Sequence, residues 1–308
     1  MNPEERELKI RFDSIQSYYD LDDLLANDSY KKALEFHHKS PWFIYYLFRP
    51  RGSRSLHMCL SDDGRFHMRD FQKQIEYVAD QIDETTGSVL EIGAGGGGRI
   101  KRLAKRYPNV TFTAIVLPER HFPRKHLPKN VKLVRLDYDD ITKLPKAAFD
   151  LVFGIETLRH AENKNQIIEQ IHRVLKPGGK MILFDVYESQ PQKEMSGFEK
   201  FATKTTLAVM RINVGDQYIG NLKKHLAAHH FENIEAANLT GKIKPGLWRL
   251  EKKSRFYFSH PHYARALRRM LPEDVILNII AGWLMNQAFD NNYLLQYNRI
   301  TAVKKEAK

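Results

Sequence analysis

Two places in the chain carry residue types at spacings that could do chemistry. The first is Val89-Leu-Glu-Ile-Gly-Ala-Gly-Gly-Gly-Gly-Arg-Ile100, an apolar strand candidate that reaches an acidic residue, Glu91, and then bends through Gly93, Gly95 and Gly97 into a helical pattern. Glycines at such a bend allow a tight turn and close approach of a ligand to the backbone. In open α/β sheets ligands bind beyond the carboxyl ends of the strands, which is where this bend falls. A phosphate-binding loop would close on Gly-Lys-Ser or Gly-Lys-Thr. This one closes on Gly98-Arg99-Ile100, so that reading fails. Gly93-x-Gly95-x-x-Gly98 formally fits the dinucleotide fingerprint, and Glu119 stands about 20 residues on, where a ribose partner would be needed. No Tyr-x-x-x-Lys pair accompanies it. A purely structural turn is also open.

The second place is Glu156 and His160, four residues apart after an apolar run. In a helix beginning near Glu156 they share one face, and a carboxylate or imidazole at a strand end can remove a proton. Each has an ordinary reading too: a charge favoured at a helix N-terminus, and a partly exposed histidine.

The elements that must position these groups alternate along the chain. Strand candidates are Val89–Ile92, Val110–Leu117, Val131–Leu136, Phe149–Ile155 and Met181–Asp185, separated by helical patterns at Arg99–Tyr107 and Asn165–Leu175. Near-continuous apolar strands alternating with helices predict a parallel sheet covered on both faces. Ile234–Leu239 and Leu294–Val303 complete a mostly parallel, seven-stranded α/β sheet of Rossmann-like type. Before it, Tyr30–Phe36 and Asp70–Ile82 read as helices, the latter with Phe71, Ile75, Val78 and Ile82 on one face. The expected organisation is an N-terminal helical lid or substrate region over 1–85, a ligand-binding core over 86–239, a cap insertion over 240–291, and the last strand with a tail over 292–308. The insert Glu188–Gly215 has no evident role.

With these residues in place, the chain resembles the class I S-adenosylmethionine-dependent methyltransferases over Ser88–Val186. The resemblance rests on the Glu91-x-Gly93-x-Gly95-x-Gly97 bend, on Leu136-Asp137-Tyr138 after strand three, on Phe149-Asp-Leu-Val152, and on His172-Arg-Val-Leu-Lys-Pro-Gly-Gly-Lys180. It implies that S-adenosyl-L-methionine is the cofactor. Its methionine part would lie on Glu91, Gly93, Ala94, Gly95 and Gly97, and its nucleoside beside Val116, Asp137, Tyr138 and Ile155. Many members carry an acid for the ribose where this chain has Val116, which has no side-chain acceptor. Ribose contact would then come from Glu119, from backbone, or not at all. Sterol, prenyl-diphosphate and cyclopropane-lipid methyltransferases often lack that acid as well. Phe153-Gly-Ile-Glu-Thr-Leu-Arg-His160-Ala is similar to a sterol C-methyltransferase stretch, which makes Glu156 and His160 the catalytic candidates. Ser17-Tyr18-Tyr19-Asp20 and Leu56-His57-Met58-Cys59-Leu60 resemble the helices that close over the cofactor, which makes Tyr18, Tyr19 and His57 candidate substrate residues, with ordinary helix packing the alternative.

Composition narrows the setting. The 308 residues are 42% hydrophobic and 28% charged, as in globular proteins with a sizeable core. The longest apolar stretch, Val275–Met285, falls short of the ~18 residues that span a bilayer and contains Asn278. The N-terminus is charged and does not read as a secretory signal. One cysteine, Cys59, permits no internal disulfide, and a reducing cytoplasmic location is the expectation. No metal site is expected. Net charge is +12, which favours anionic partners. Lys242–Met270 holds nine basic residues against one acidic residue, Glu251, interleaved with Trp248, Phe256, Tyr257, Phe258 and Tyr263. Beside the apolar Val275–Met285, this suits a greasy acceptor with an anionic end, or peripheral contact with a membrane. The expectation is methylation of a lipophilic small molecule of isoprenoid, sterol-like or prenyl-diphosphate type. The alternatives are N- or O-methylation of a small natural product, an RNA methyltransferase, and a non-catalytic protein of this fold. No Asn-Pro-Pro-Tyr-type motif supports the RNA reading.

Overall fold

Near-continuous apolar runs assemble one sheet. The computed structural model describes residues 2–20, 57–118, 127–161, 163–212, 218–271 and 273–306; the segment Tyr30–Phe36 and Glu119 lie outside them. The strands are β1 (Ser88–Ile92), β2 (Thr111–Val116), β3 (Val131–Arg135), β4 (Phe149–Ile155), β5 (Leu175–Glu188), β6 (Phe231–Asn238) and β7 (Leu295–Lys304), in the order β3-β2-β1-β4-β5-β7-β6. β7 runs antiparallel to β5 and β6, and the first five strands are parallel. This is the mostly parallel seven-stranded sheet expected. β5 is longer than expected: the turn phrase before it joins the strand through a register shift opposite Phe149 and Leu151, with Gly178 at φ +72°.

Alternation along each strand sends side chains to opposite faces. Val89, Leu151, Phe153, Ile182 and Phe184 face one core, and Leu90, Ile92, Val152, Met181 and Leu183 face the other. The second core is closed by α4 (Lys164–Val174) through Ile167, Ile168 and Ile171, and by α6 (Ile219–Ala228) through Leu222 and Leu226. The first is closed by α1 (Pro3–Gln16), α2 (Lys73–Ala79), α3 (Gly98–Arg106) and α5 (Gly197–Val209). Three further helices separate β6 from β7: α7 (Thr240–Phe258), α8 (Pro261–Met270) and α9 (Glu273–Ala288). The apolar run Val275–Met285 is the buried body of α9, with Ile280 and Leu284 fully enclosed, so these side chains are core. The Asp70–Ile82 helix is shorter than its pattern suggests: a 3-10 turn, Met68–Gln72, precedes α2, and Phe71 is only half-buried while Ile75, Val78 and Ile82 are buried.

The insert Glu188–Gly215 contains α5, whose start is fixed reciprocally: Glu199 N–H donates to Ser196 Oγ at 3.2 Å and Ser196 N–H to Glu199 Oε2 at 2.7 Å. α5 packs against α9.

A buried charge cluster joins α1 to α7 and α9. Arg11 donates to Glu251 Oε1 at 3.0 Å and to Trp283 O at 2.6 Å, and its guanidinium lies 4.6 Å from the centre of the Trp283 ring. Arg255 and Asn286 also bond Glu251. Burial alone would raise the Glu251 carboxyl; Arg11, with Arg255 and Asn286, outweighs it and holds the pKa below the usual carboxylate value. Removing one partner of such a pair strands the other. Arg11→Leu is therefore expected to lower the unfolding free energy by about 3 kcal/mol in urea titrations, and the double variant Arg11→Leu/Glu251→Leu to lose less than Arg11→Leu alone.

Candidate active site

The order of the sheet reverses between β1 and β4, so a crevice opens beyond their carboxyl ends. At the end of β1, Glu91 is fully buried. Its Oε1 accepts from Arg99 Nε at 2.7 Å, and Arg99 also donates to Gly93 O at 3.2 Å, so the first turn of α3 is tied back to the strand. Glu91 Oε2 is buried with no hydrogen-bond partner among the described residues. Burial pushes the carboxyl up and Arg99 opposes it, leaving the pKa above the ordinary value.

The bend itself needs glycine. Gly93, Gly95 and Gly97 have φ of +71°, +55° and +74°. At Gly93 a Cβ would meet Thr157 Oγ1 at 2.5 Å, so the loops after β1 and β4 touch there. At Gly95, Gly96 and Gly98 a Cβ would meet nothing within 4 Å, so this side of the bend is open. Ala94 N–H is used by Ile115 O at 2.9 Å, which fixes the bend to β2. Val116 and Ile155 are buried at the ends of β2 and β4, and Asp137 is half-buried beyond β3. Tyr138 lies in the 3-10 segment Tyr138–Lys143; its side chain is outside the described residues.

Beyond β4 the chain departs from expectation. No helix starts at Glu156. That residue sits at φ +53°, a 3-10 turn covers Leu158–His160, and α4 begins only at Lys164. Glu156 and His160 therefore do not share a helix face. Glu156 Oε1 accepts from Met58 N–H at 2.6 Å and from Tyr297 Oη at 3.1 Å, and Oε2 pairs with Arg159 at 3.1 Å. His160 turns away: Arg159 Nε donates to its Nε2 at 3.2 Å, and its Nδ1 lies 2.8 Å from Arg211 O. Both ring nitrogens are engaged, which removes His160 as the proton acceptor. Arg159 is held by its own N–H, which donates to Asp185 Oδ2 at 3.0 Å. Burial raises the Asp185 carboxyl to about 6 against the pull of Arg159.

A cavity of about 190 Å³ lies against this turn. Glu156, Arg159 and His57 line it; Met58, Phe66, Phe71, Met210, Ile243, Leu247 and Met285 supply apolar wall. Cys59 adds a thiol pushed up to about 12 by burial, so it acts as apolar wall. Arg249 also lines the cavity, its guanidinium 5.1 Å from the Phe66 ring centre. His57 is 6% exposed; its Nε2 is 2.9 Å from Phe71 O, and its Nδ1 is buried without a partner among the described residues. With Nε2–H donating to the carbonyl, Nδ1 keeps a lone pair. Burial, with Arg99 and Arg159 adding, lowers the His57 pKa to about 3, so the ring is neutral. Tyr18 and Tyr19 do not line the cavity: Tyr18 packs on Phe258, and the Tyr19 hydroxyl bonds that of Tyr257. Aromatic pairing with α7 explains both. Sequence reasoning missed Arg159, Arg249, Gln74 and Tyr297. Arg99, directly after the glycines, could have been found.

Residues 90–183 match the family model described as "Methyltransferase domain". Over these residues the chain is similar to S-adenosylmethionine-dependent methyltransferases, sterol 24-C-methyltransferases among them. Among sequence relatives are the S-adenosyl-L-methionine-dependent Diels-Alderase iccD of Talaromyces variabilis, 29% identical over 51% of this chain and 57% of that one, and sterol 24-C-methyltransferase ERG6A of Gibberella zeae, 31% identical over 46% and 38%. The chain thus spans about half the length, or less, of these two relatives. A solved geranyl diphosphate methyltransferase in complex with GPP and sinefungin superposes with a TM-score of 0.64 at 12% identity, over 89% of this chain and 98% of that one, which is a likeness of fold. The methyltransferase domain fits its cofactor, S-adenosylmethionine, on two counts seen here: an open glycine bend, and a buried carboxylate with one oxygen unpaired. Glu91 would hold the cationic amino group. Val116 offers the ribose no side-chain acceptor, as expected.

Two outcomes are expected. Gly95→Ala should cost about 1–2 kcal/mol of stability from its left-handed φ and weaken binding of the demethylated cofactor at least about tenfold in calorimetry, because the methyl enters the open side of the bend; an unchanged affinity would contradict this site. His57 stays neutral in the folded state while the unfolded ring titrates near 6.5, so stability is lost as pH falls below about 6.5. Between about pH 7.5 and about pH 5 the share lost through His57 is about 2 kcal/mol, so the stability difference between the two pH values in urea unfolding should shrink by about that amount in His57→Asn, leaving the share of His172, whose pKa burial also lowers.

Proposed function

We propose that this chain transfers a methyl group from S-adenosylmethionine to a carbon of a lipophilic acceptor of isoprenoid, sterol-like or prenyl-diphosphate type. The observation that carries this reading is the cavity lined by Glu156: mostly apolar walls with Glu156, Arg159 and His57 among them, while the next residue, Thr157, touches the glycine bend at Gly93. The cofactor, when bound, supplies an electrophilic sulfonium methyl group.

The residues then have distinct tasks. Apolar walls from α7, α9 and the 57–71 segment keep water from the acceptor and fix its orientation, which accounts for much of the rate in a two-reactant transfer. Methylation of an alkene carbon leaves positive charge on the acceptor. The Glu156 carboxylate stabilises that charge from the cavity wall, and the Phe66 and Phe71 ring faces add to it. Restoring the alkene requires loss of a proton from the neighbouring carbon, whose C–H electrons become the new double bond. His57 Nδ1, with its open lone pair, takes that proton. Burial holds the His57 pKa below its ordinary value, so the ring is a weak base, suited to the strongly acidic C–H beside a carbocation.

A second reading has its own support: a relative is named a Diels-Alderase, and a greasy cavity against the β4 turn would also suit cyclisation without methyl transfer. Transfer of tritiated methyl from S-adenosylmethionine to geranyl diphosphate, a sterol, and small polar amines separates the two. Label is expected in the lipophilic acceptors; label only in amines, or none, would contradict the proposal. His57→Asn should lower kcat by about 10²-fold or more while the demethylated cofactor binds as before.

A further inference from the structure

The outer face of the cap remains without a partner among the described residues. On α7, Trp248, Lys252, Arg255 and Phe256 fall within an arc of roughly 100°. Trp248 and Phe256 are 52% and 54% exposed. Across the turn, Tyr263 and Met270 of α8 lie seven residues apart, on one stripe, and are 48% and 78% exposed. The two helices are joined at the surface by ring contacts: His260, tilted, lies 4.4 Å and Tyr263, edge-on, 5.5 Å from Phe256, centre to centre. α8 buries Ala264 and half-buries Leu267, and its other described side chains face outward. Lys252, Lys253, Arg255, Arg265 and Arg268 are exposed around these apolar groups. The acidic residue of this stretch, Glu251, is buried underneath and bonded by Arg11 and Arg255, so α7 and α8 present no carboxylate on this face.

We propose that this face docks on an anionic bilayer. Large apolar side chains projecting from a basic, amphipathic pair of surface helices match the chemistry of an interfacial anchor: the apolar groups enter the acyl boundary and the cations meet acidic headgroups. A nucleic-acid partner would use the cations and the rings but leave Met270 without a role. α7 also supplies inner cavity wall through Ile243, Leu247 and Leu250, so one helix has a membrane-facing side and an acceptor-facing side. The docking itself does not depend on methyl transfer; only this last connection rests on the lipophilic acceptor.

The test is co-sedimentation of the full chain with vesicles of phosphatidylcholine alone and with added phosphatidylglycerol. Binding is expected on the anionic vesicles, with little on the neutral ones, and is expected to weaken with salt. Lys252→Gln should reduce partitioning about fivefold, and Trp248→Ser/Phe256→Ser should reduce it further, both retaining binding of the demethylated cofactor as the check on folding. Absence of vesicle binding, equal binding to neutral and anionic vesicles, undiminished binding by the Trp248→Ser/Phe256→Ser variant, or capture by RNA with no vesicle binding would each overturn the proposal.

Discussion

The site depends on one buried carboxylate. Glu156 stands at a positive φ where β4 ends, and its two oxygens gather three donors, two from distant parts of the chain, the Met58 backbone and the Tyr297 hydroxyl of β7, and one from its own turn, the Arg159 guanidinium. Burying a carboxylate is costly unless it is paired and hydrogen-bonded. Here the desolvation cost is met by groups that must each come to Glu156, so the N-terminal segment, the antiparallel strand and the β4 turn share one fixed point. Gln74 reinforces it by donating to Met58 O and to Tyr297 Oη. His57, one residue before Met58, is thereby placed at the cavity.

Charge placement follows from that fixed point. Arg159 serves Glu156 and His160 while its backbone serves Asp185, and Arg99 serves Glu91 and Gly93. His57 lies in the field of both arginines and is buried, which keeps it neutral with an open Nδ1. A cavity with two neighbouring cations and one neutral acceptor treats positive and negative substrate charge differently. Arg159 and Arg249 place positive charge in the cavity wall, and Glu156 places negative charge there.

The parts of this arrangement that are local were legible in the residues alone. Apolar strands, the Glu91-to-Gly97 bend and the Lys164–Val174 helix depend on spacing within a dozen neighbours, and the pattern carries that information. Glu156–His160 was misjudged for a physical reason: a helical spacing of four says nothing about a left-handed backbone at the first residue, which is set by packing of the β4 turn against Gly93 through Thr157. Tyr18 and Tyr19 read equally well as ligand groups and as helix packing, and the structure places both against α7. Arg159, Arg249 and Tyr297 are brought together from separate elements by the fold, and no spacing in the chain announces them.

The central claim is that the acceptor cavity and the cofactor bend are one site that meets at Thr157. The most direct measurement is a crystal structure of the full chain with the demethylated cofactor. The account predicts the amino-acid end against Glu91 and Gly95, with the sulfur facing the space bounded by His57, Glu156 and Phe71. A cofactor seated elsewhere, or a sulfur turned away from that space, would contradict it.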